Sequence, residues 1–331
     1  MNGSPIELIC PAGTPAALRA AVDAGADAVY AGFRDQTNAR NFPGLNFSRA
    51  ELREGIAYAR ERGCKLFVAI NTYPEAGNLA PWQAAVDDAA RLGADAVILA
   101  DLGLLDYTAQ RHPGLRRHLS VQATASSPEA IRFYAEAFGV RRVVLPRVLT
   151  VADIERVRAE VDVELEVFAF GGMCVMAEGR CSLSSYATGR SPNKDGVCSP
   201  ASHVRYEDEG DHVLSRLGNF TINRYRQGEP AGYPTLCKGR FVPAEGPAGY
   251  LFEEPISLNA IEILPQLARA GVSALKIEGR QRGRAYVSQV VRAFRAALDA
   301  LARGEPVPAD PLDGITEGNR DTAGAYEARW R

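Results

Sequence analysis

One short phrase recurs along the chain: a glycine followed at once by a run of mainly apolar residues. It reads GADAVYAG from Gly25 and GADAVILA from Gly93, and in looser form GVRRVVL from Gly139 and GVSALKIEG from Gly271. Each copy follows an alanine-rich segment with the apolar spacing of an amphipathic helix. A glycine in the left-handed conformation ends such a helix, and the apolar run then enters the core as a buried strand. The phrase therefore predicts repeated helix-to-strand junctions of a parallel α/β fold.

Eight strands alternate with eight helices in this prediction. The strands are placed at Ile6–Ile9, Ala28–Tyr30, Leu66–Ile70, Ala96–Leu99, Leu119–Val121, Arg142–Leu145, Glu164–Phe168 and Ala274–Ile277. The helices are placed at about 14–24, 48–62, 79–92, 102–111, 128–138, 150–160, 259–270 and 284–303. The alternation favours a (β/α)8 TIM-like barrel over a doubly wound open sheet, since no GxGxxG follows the first strand. We expect the barrel to cover residues 1–305, with a long cysteine-bearing insertion at 171–255 and a short C-terminal extension at 306–331 packed on the barrel.

Four of the six cysteines lie after predicted strand seven, at Cys174, Cys181, Cys198 and Cys237. Their spacing is C-x6-C-x16-C-x38-C, and each has small, polar or turn-forming neighbours. Four converging thiolates suit zinc or an iron–sulfur cluster. Structural zinc usually takes close pairs such as C-x2-C, so the spacing leaves the metal open; unrelated thiols and two disulfides are the alternatives. Because barrel active sites lie in the loops after the strands, this stretch is expected at the catalytic mouth.

The remaining cysteines, Cys10 and Cys64, lie beside predicted strands and are expected to pack in the core. The formal net charge of −2 gives no sign of a nucleic-acid-binding surface. The first residues lack the basic start and apolar core of a signal peptide, and no run approaches the ~18 to 20 apolar residues that span a bilayer. We therefore expect a cytoplasmic protein, in which a set of cysteines more often binds metal than forms disulfides.

Polar residues follow most of the other predicted strands and would line the same mouth. They include Arg40, Asn41, Gln122, Arg147, Lys276, Glu278 and Arg280. Alternation along strand eight points Lys276 and Glu278 into the barrel, where a Lys276–Glu278 ion pair is the purely structural alternative to a substrate role. Arginines from two loops could hold a dicarboxylate in bidentate fashion.

Several common catalytic signatures are absent from the sequence. It contains no HExxH, P-loop, GxSxG or C-x3-C-x2-C motif, and its four histidines are scattered. A cysteine–histidine nucleophilic pair is therefore weakly supported.

The phrase EVFAFGGMCVMAEGRCSLSSY, from Glu166 to Tyr186, resembles the signature of the collagenase-like U32 peptidase family. NARNF, YPTLCKGR and KIEGR match the same family, so the resemblance covers nearly the whole chain. Phe170 stands where many members carry histidine, and a hydrolase that used this histidine would lack its base here. The variants of these motifs are most similar to the branch of the family that serves anaerobic ubiquinone biosynthesis.

The resemblance implies a [4Fe–4S] cluster held by Cys174, Cys181, Cys198 and Cys237. It also implies a heterodimer with a UbiV-like family member and oxygen-independent hydroxylation of the ubiquinone ring. Prephenate is the expected hydroxyl donor, and a small lipid-binding accessory protein is expected to carry the polyprenyl precursor. On this reading Arg40, Lys276 and Arg280 bind the carboxylates of the donor. Asn41, Gln122 and Glu278 are expected to orient the donor or shuttle a proton.

Three rival functions follow from the same features. The first is a related hydroxylase that acts on tRNA with the same donor, which the near-neutral charge disfavours. The second is a peptidase of the U32 type. The third is a zinc-stabilised subunit whose partner carries out all the chemistry, since four cysteines do not identify the metal.

Overall fold

The computed structural model describes residues 6–41, 44–174, 176, 181–192, 198–229, 231–308, 312 and 314–327, apart from the side chain of Asn319. The strands, in chain order, are β1 (Glu7–Pro11), β2 (Ala28–Ala31), β3 (Lys65–Ile70), β4 (Ala96–Leu99), β5 (Arg116–Leu119), β6 (Val140–Val144), β7 (Glu164–Gly172), β8 (Val204–Glu209), β9 (His212–Leu217), β10 (Phe220–Arg226), β11 (Arg240–Phe241), β12 (Gly249–Tyr250), β13 (Ser257–Asn259), β14 (Ala274–Ile277) and β15 (Asp321–Thr322). Strands β1 to β7 pair in parallel in sequence order, and β14 pairs with both β7 and β1. This closed ring of eight strands confirms the predicted TIM-like barrel.

Helices follow the barrel strands at nearly the predicted positions. They are α1 (Pro15–Asp23), α2 (Arg49–Arg60), α3 (Ala80–Leu92), α4 (Leu102–Arg111), α5 (Pro128–Phe138), α6 (Val151–Glu160), α7 (Ser182–Thr188), α8 (Leu264–Arg269) and α9 (Arg284–Ala302). Sequence signals set several of their starts. Ser48 and Glu51 form a reciprocal capping box at α2, and Thr150 and Asp153 form another at α6. Each box satisfies backbone N–H groups that have no partner within the helix.

Most predicted elements differ slightly at their ends, and two begin three or more residues away from their predicted starts. Strand β5 is Arg116–Leu119 and not 119–121, and a 3-10 turn covers Val121–Ala123. The predicted strand does not include Arg117 or His118, but Arg117 donates from Nε to the carbonyl of Phe138 at 2.7 Å and His118 is completely buried. The helix predicted from residue 259 begins at Leu264. Residues 257–259 form β13 instead, because they pair antiparallel with the end of β7.

Small apolar residues leave room inside the barrel for charged side chains. The inward-facing cluster consists of Ile9, Ala28, Tyr30, Phe67, Ala69, Ala96, Ile98 and Ala274. Lys276 Nζ donates to Glu166 Oε1 at 2.6 Å, and both side chains are almost fully buried. Arg142 lies 3.5 Å from the other oxygen of Glu166. Lys276 therefore pairs with Glu166, and the alternative Lys276–Glu278 pair is wrong.

A larger core lies between the strands and the surrounding helices. Cys10 and Cys64 are both buried there, as predicted. Burial raises the pKa of Cys64 to about 12 and raises that of Cys10 well above the ordinary thiol range. Both thiols therefore stay protonated and act as apolar packing groups.

The segment between β7 and β14 builds a separate layer over the barrel mouth. It contains α7, the antiparallel sheet β8–β9–β10 and the short hairpin β11–β12. The C-terminal part of the chain joins this layer to the barrel. Strand β15 pairs with β13, Glu317 forms an ion pair with Lys238, and Tyr326 Oη donates to the carbonyl of Phe168 at 2.6 Å. Within the described ranges, no helix has the length and apolar character needed to cross a bilayer.

Candidate functional site

The carboxyl ends of the barrel strands open into a cavity of about 350 Å³, here called the mouth cavity. Its walls come from the loops after six barrel strands and from the layer above them. Each of the four cysteines predicted to bind metal lines this cavity: Cys174, Cys181, Cys198 and Cys237. The fold therefore brings the four cysteines to one cavity although 63 positions separate Cys174 from Cys237 in the sequence.

Local structure gives each cysteine a defined position. Cys181 is the residue before α7, and its Sγ accepts a hydrogen bond from the backbone N–H of Ser184 at 3.4 Å. Cys237 lies in a 3-10 turn. Burial raises the pKa of Cys237 to about 11, and the nearby Cys198 and Cys181 thiols add to the rise. Burial also raises the pKa of Cys198, although Arg40 opposes this. Cys181, Cys198 and Cys237 are thus close enough to influence one another electrostatically.

Four cysteines on one cavity are the type of donor set that zinc and iron–sulfur clusters use. No disulfide joins these cysteines. Among the described residues, no three Cys, His, Asp or Glu side chains gather tightly enough to bind one metal ion. The four sulfur-bearing side chains surround a cavity instead. A raised thiol pKa means that ligation must displace protons, as it does wherever a metal binds cysteine.

A carboxylate held between two arginines lies beside the cysteines. Glu278, directly after β14, accepts from Arg147 Nη2 at 2.5 Å and from Arg40 Nη2 at 3.3 Å. Burial alone would raise the pKa of Glu278, but the Arg147 and Arg40 guanidinium groups outweigh burial and hold the pKa below its ordinary value. Glu278 is therefore a partly buried anion that depends on two cations from other loops.

Arg147 is the more rigidly placed of the two arginines. It follows β6, and its Cζ lies 3.5 Å from the centroid of the Phe168 ring. Its side chain is 5% exposed, compared with 31% for Arg40. Stacking on an aromatic face fixes the plane of a guanidinium group and leaves its edge available to a carboxylate.

Asn38 positions two of the predicted substrate-binding arginines. Its Oδ1 accepts from Arg280 Nη1 at 2.7 Å and from the backbone N–H of Arg40 at 3.1 Å. Asn38 is completely buried, and its Nδ2 donates to the carbonyl of Phe33. Burial also lowers the pKa of Arg280 to about 10. Asn38 belongs to the NARNF motif in the sequence, but the motif alone does not reveal that its amide links two loops.

The remaining predicted site residues are Gln122, Lys276 and Asn41, and each has a different environment. Gln122 lines the mouth cavity, and its buried Oε1 has no hydrogen-bond partner among the described residues. Lys276 also lines the cavity, but Glu166 neutralises its charge. Asn41 is exposed and lies on a neighbouring cavity of about 1330 Å³. This cavity shares seven lining residues with the mouth cavity: Ser199, Tyr233, Thr235, Lys238, Gln281, Arg282 and Glu317. The mouth therefore gathers every predicted site residue except Asn41.

Phe170 occupies the position at which the family signature commonly carries histidine. Its side chain is fully buried among the residues between the strands and helices, with ring centroids 6.2 Å from Tyr286 and 6.1 Å from Phe294. It is not among the described residues that line the mouth cavity. The side chain at this position packs the core here and offers no base to the cavity.

Comparison with known proteins identifies the relatives of the chain. The sequence profile of peptidase family U32 matches residues 13–320. The chain is similar to tRNA hydroxylation protein P of Escherichia coli, with 32% identity over 338 residues that cover 94% of this chain and 74% of that protein. It is 30% identical over 315 residues to the 23S rRNA 5-hydroxycytidine C2501 synthase of the same organism, covering 94% of this chain and 42% of that protein. It is also 28% identical over 315 residues to a collagenase of Porphyromonas gingivalis, covering 92% and 68% of the two chains.

Proposed function

The chain belongs to peptidase family U32, and from this premise we propose that it is the iron–sulfur subunit of an oxygen-independent hydroxylase. The proposed pathway is ubiquinone biosynthesis, in which the chain would play the part of UbiU. Relatives named for hydroxylation of tRNA and of rRNA support a hydroxylase role for this fold. The motif variants CSLSSYATGRSPN and GYPTLCKGR favour the quinone branch over the RNA branch.

The observation that carries the proposal is the arrangement of four cysteines around a cavity that also contains an arginine–carboxylate cluster. Cys174, Cys181, Cys198 and Cys237 would hold a [4Fe–4S] cluster, which takes four thiolate ligands. When bound, such a cluster supplies electron transfer or a site for oxygen-atom chemistry next to the substrate. The barrel supplies the rest of the site: side chains that bind and orient the reactants.

The proposed hydroxyl donor is prephenate, a dicarboxylate. Arg40, Arg147 and Arg280 line the cavity and suit its carboxylates, since guanidinium groups pair with them in bidentate geometry. Lys276 is less suited than the sequence suggested, because Glu166 already offsets its charge. Gln122 could orient the donor through its side-chain amide, and Glu278 could exchange a proton with the donor or the acceptor.

The proposed function includes two partner proteins. The acceptor ring would reach the site with the help of a UbiV-like subunit in a heterodimer and of a small lipid-binding protein that carries the polyprenyl chain. Both follow from the sequence resemblance. The neighbouring cavity of about 1330 Å³ opens beside the mouth and offers space for an acceptor much larger than the donor.

RNA hydroxylation is the second candidate, because relatives with over 90% coverage of this chain carry that name. The formal net charge of −2 is unfavourable for binding a polyanion. Peptidase activity is less supported: the position of the family histidine is Phe170, whose side chain packs in the core.

A deletion strain grown without oxygen separates these functions. We expect loss of ubiquinone, accumulation of an under-hydroxylated quinone precursor and unchanged tRNA and rRNA modification, with rescue by the intact gene. Intact ubiquinone together with missing hydroxylated nucleosides would replace the proposal with the RNA function. Rescue of ubiquinone by a variant that lacks all four cysteines would show that the chemistry does not require the cluster.

A further inference from the structure

Glu278 occupies the position that a bound carboxylate would take. Its Oε1 faces Arg40 Nη2 at 3.3 Å, and its Oε2 faces Arg147 Nη2 at 2.5 Å. Each oxygen of one carboxylate thus meets one guanidinium group, which is the pairing that arginines offer to carboxylate ligands. A side chain of the protein therefore mimics the ligand group for which this arginine pair is suited.

Among the described residues, the walls of the mouth cavity carry more positive than negative charge. The cationic residues are Arg40, Arg147, Lys238, Lys276, Arg280 and Arg282, and the carboxylates among the described lining residues are Glu278 and Glu317. Glu317 is paired with Lys238, and Glu166 offsets Lys276 from behind the wall. Among the residues that the structure describes, Glu278 then lies beside the guanidinium groups of Arg40, Arg147, Arg280 and Arg282. This imbalance attracts an anion that carries more than one negative charge.

The three members of the cluster differ in their freedom to move. Arg147 is packed on Phe168 and is 5% exposed. The side chains of Arg40 and Glu278 are 31% and 29% exposed, at the open side of the cluster. An incoming carboxylate can therefore shift Glu278 and Arg40 while Arg147 remains in place.

We propose that a carboxylate ligand displaces Glu278 from Arg147, so that Glu278 is an internal competitor and Arg147 determines specificity for the ligand. The inference rests on the proposed function only where it identifies that ligand as the dicarboxylate donor. Displacement follows because two carboxylates that share the edge of Arg147 would repel each other. The displaced Glu278 stays near cations, since the charges of Arg40 and Arg280 also act on it.

Isothermal titration of the anaerobically purified protein with prephenate and with succinate tests the inference. The variant Glu278→Gln removes the competing charge and keeps the size of the side chain. We expect it to bind both dicarboxylates about tenfold more tightly than the wild type. Arg147→Lys keeps the charge but loses the planar fork, and we expect it to bind both about tenfold more weakly.

Glu317→Gln is the matched control, because it removes the second carboxylate among the described wall residues and leaves the arginine pair untouched. Its affinity should stay within about twofold of the wild-type value. Unfolding midpoints of all three variants show whether each is folded at the titration temperature. Unchanged or weaker binding by Glu278→Gln would overturn the inference. So would an equal gain in Glu317→Gln, or a wild-type protein that binds neither dicarboxylate.

The titration needs neither the cluster nor turnover, so its failure is distinct from failure of the proposed function. Protein without iron that still shows the opposite effects of Glu278→Gln and Arg147→Lys would support the inference and contradict the iron–sulfur assignment. Iron-containing, active protein without these effects would contradict the inference alone.

Discussion

Asn38 and Arg280 are joined by a hydrogen bond of 2.7 Å although 242 positions separate them in the sequence. The bond connects the loop after β2 to the loop after β14 within the buried wall of the mouth cavity. The same oxygen of Asn38 accepts the backbone N–H of Arg40. One neutral amide thus fixes the positions of two cations without cancelling their charge, which keeps them available to an anionic ligand.

Replacing Asn38 should therefore damage both stability and the site. Asn38→Ala leaves the buried Arg280 guanidinium without its amide acceptor, and we expect the free energy of unfolding to fall by about 1–3 kcal/mol. Urea denaturation monitored by circular dichroism measures the change. Asn41→Ala, at an exposed position in the same loop, should change stability by less than about 0.5 kcal/mol. Equal effects of the two substitutions would contradict the role of Asn38.

The buried pair of Lys276 and Glu166 should be far more sensitive to substitution than a surface pair. Lys276→Met leaves the carboxylate of Glu166 buried with Arg142 as its remaining cation, and we expect a loss of about 3–5 kcal/mol in unfolding free energy. Lys65→Met, which breaks the more exposed pair with Glu7, should cost less than about 1 kcal/mol. Thermal and urea unfolding of both variants provide the comparison. A small loss in Lys276→Met would show that the buried pair does not need its lysine.

Alanine substitution should affect stability differently at the two adjacent glycines that end β7. Gly171 has a φ of +143°, and a Cβ built on it would lie 2.6 Å from the Cβ of Glu278. We expect Gly171→Ala to destabilise the fold by about 1–3 kcal/mol and to move Glu278 away from its arginines. Gly172→Ala is the control, because nothing lies within 4 Å of its Cβ position. Dicarboxylate titration and urea unfolding would detect the difference, and indistinguishable variants would argue against this close approach.

The charge of Glu278 should contribute to stability in a defined pH range. Its pKa in the folded protein is lower than the ordinary value of 4.5, so the contribution is fully present above pH 4.5 and is lost as the pH falls toward the lowered value. The difference in unfolding free energy between wild type and Glu278→Gln should therefore be constant near neutrality and should shrink in acid. Urea unfolding from pH 7 to pH 3 tests this sign. A difference that grows in acid would mean that the folded state favours the protonated carboxyl.

The sequence predicted the barrel because its helix-to-strand junctions are local signals. The glycine at 93 ends α3 in the left-handed conformation, as its phrase indicated. The bounds of strand β5 could not be predicted from local signals. The burial of its His118 and the contacts of its Arg117 depend on partners elsewhere in the fold.

For the site residues too, local sequence signals were enough for some assignments, whereas others depended on long-range contacts. The four cysteines could be assigned to one region because strand order places their loops at one end of a barrel. The partner of Lys276 could not be assigned, because alternation along β14 says which way a side chain points but not which charge it meets. The stacking of Arg147 on Phe168, likewise, requires the three-dimensional spacing of β6 and β7.

The most direct test of the central claim is the metal content of protein purified under strict anaerobiosis. We predict a broad absorption band near ~400 nm and about four irons with matching sulfide per chain, lost in Cys174→Ala and in Cys237→Ala. Cys64→Ala, which alters a buried thiol outside the mouth cavity, should retain both the band and the iron. Zinc without iron or sulfide, or iron retained in both mouth variants, would contradict the assignment of a cysteine-bound cluster.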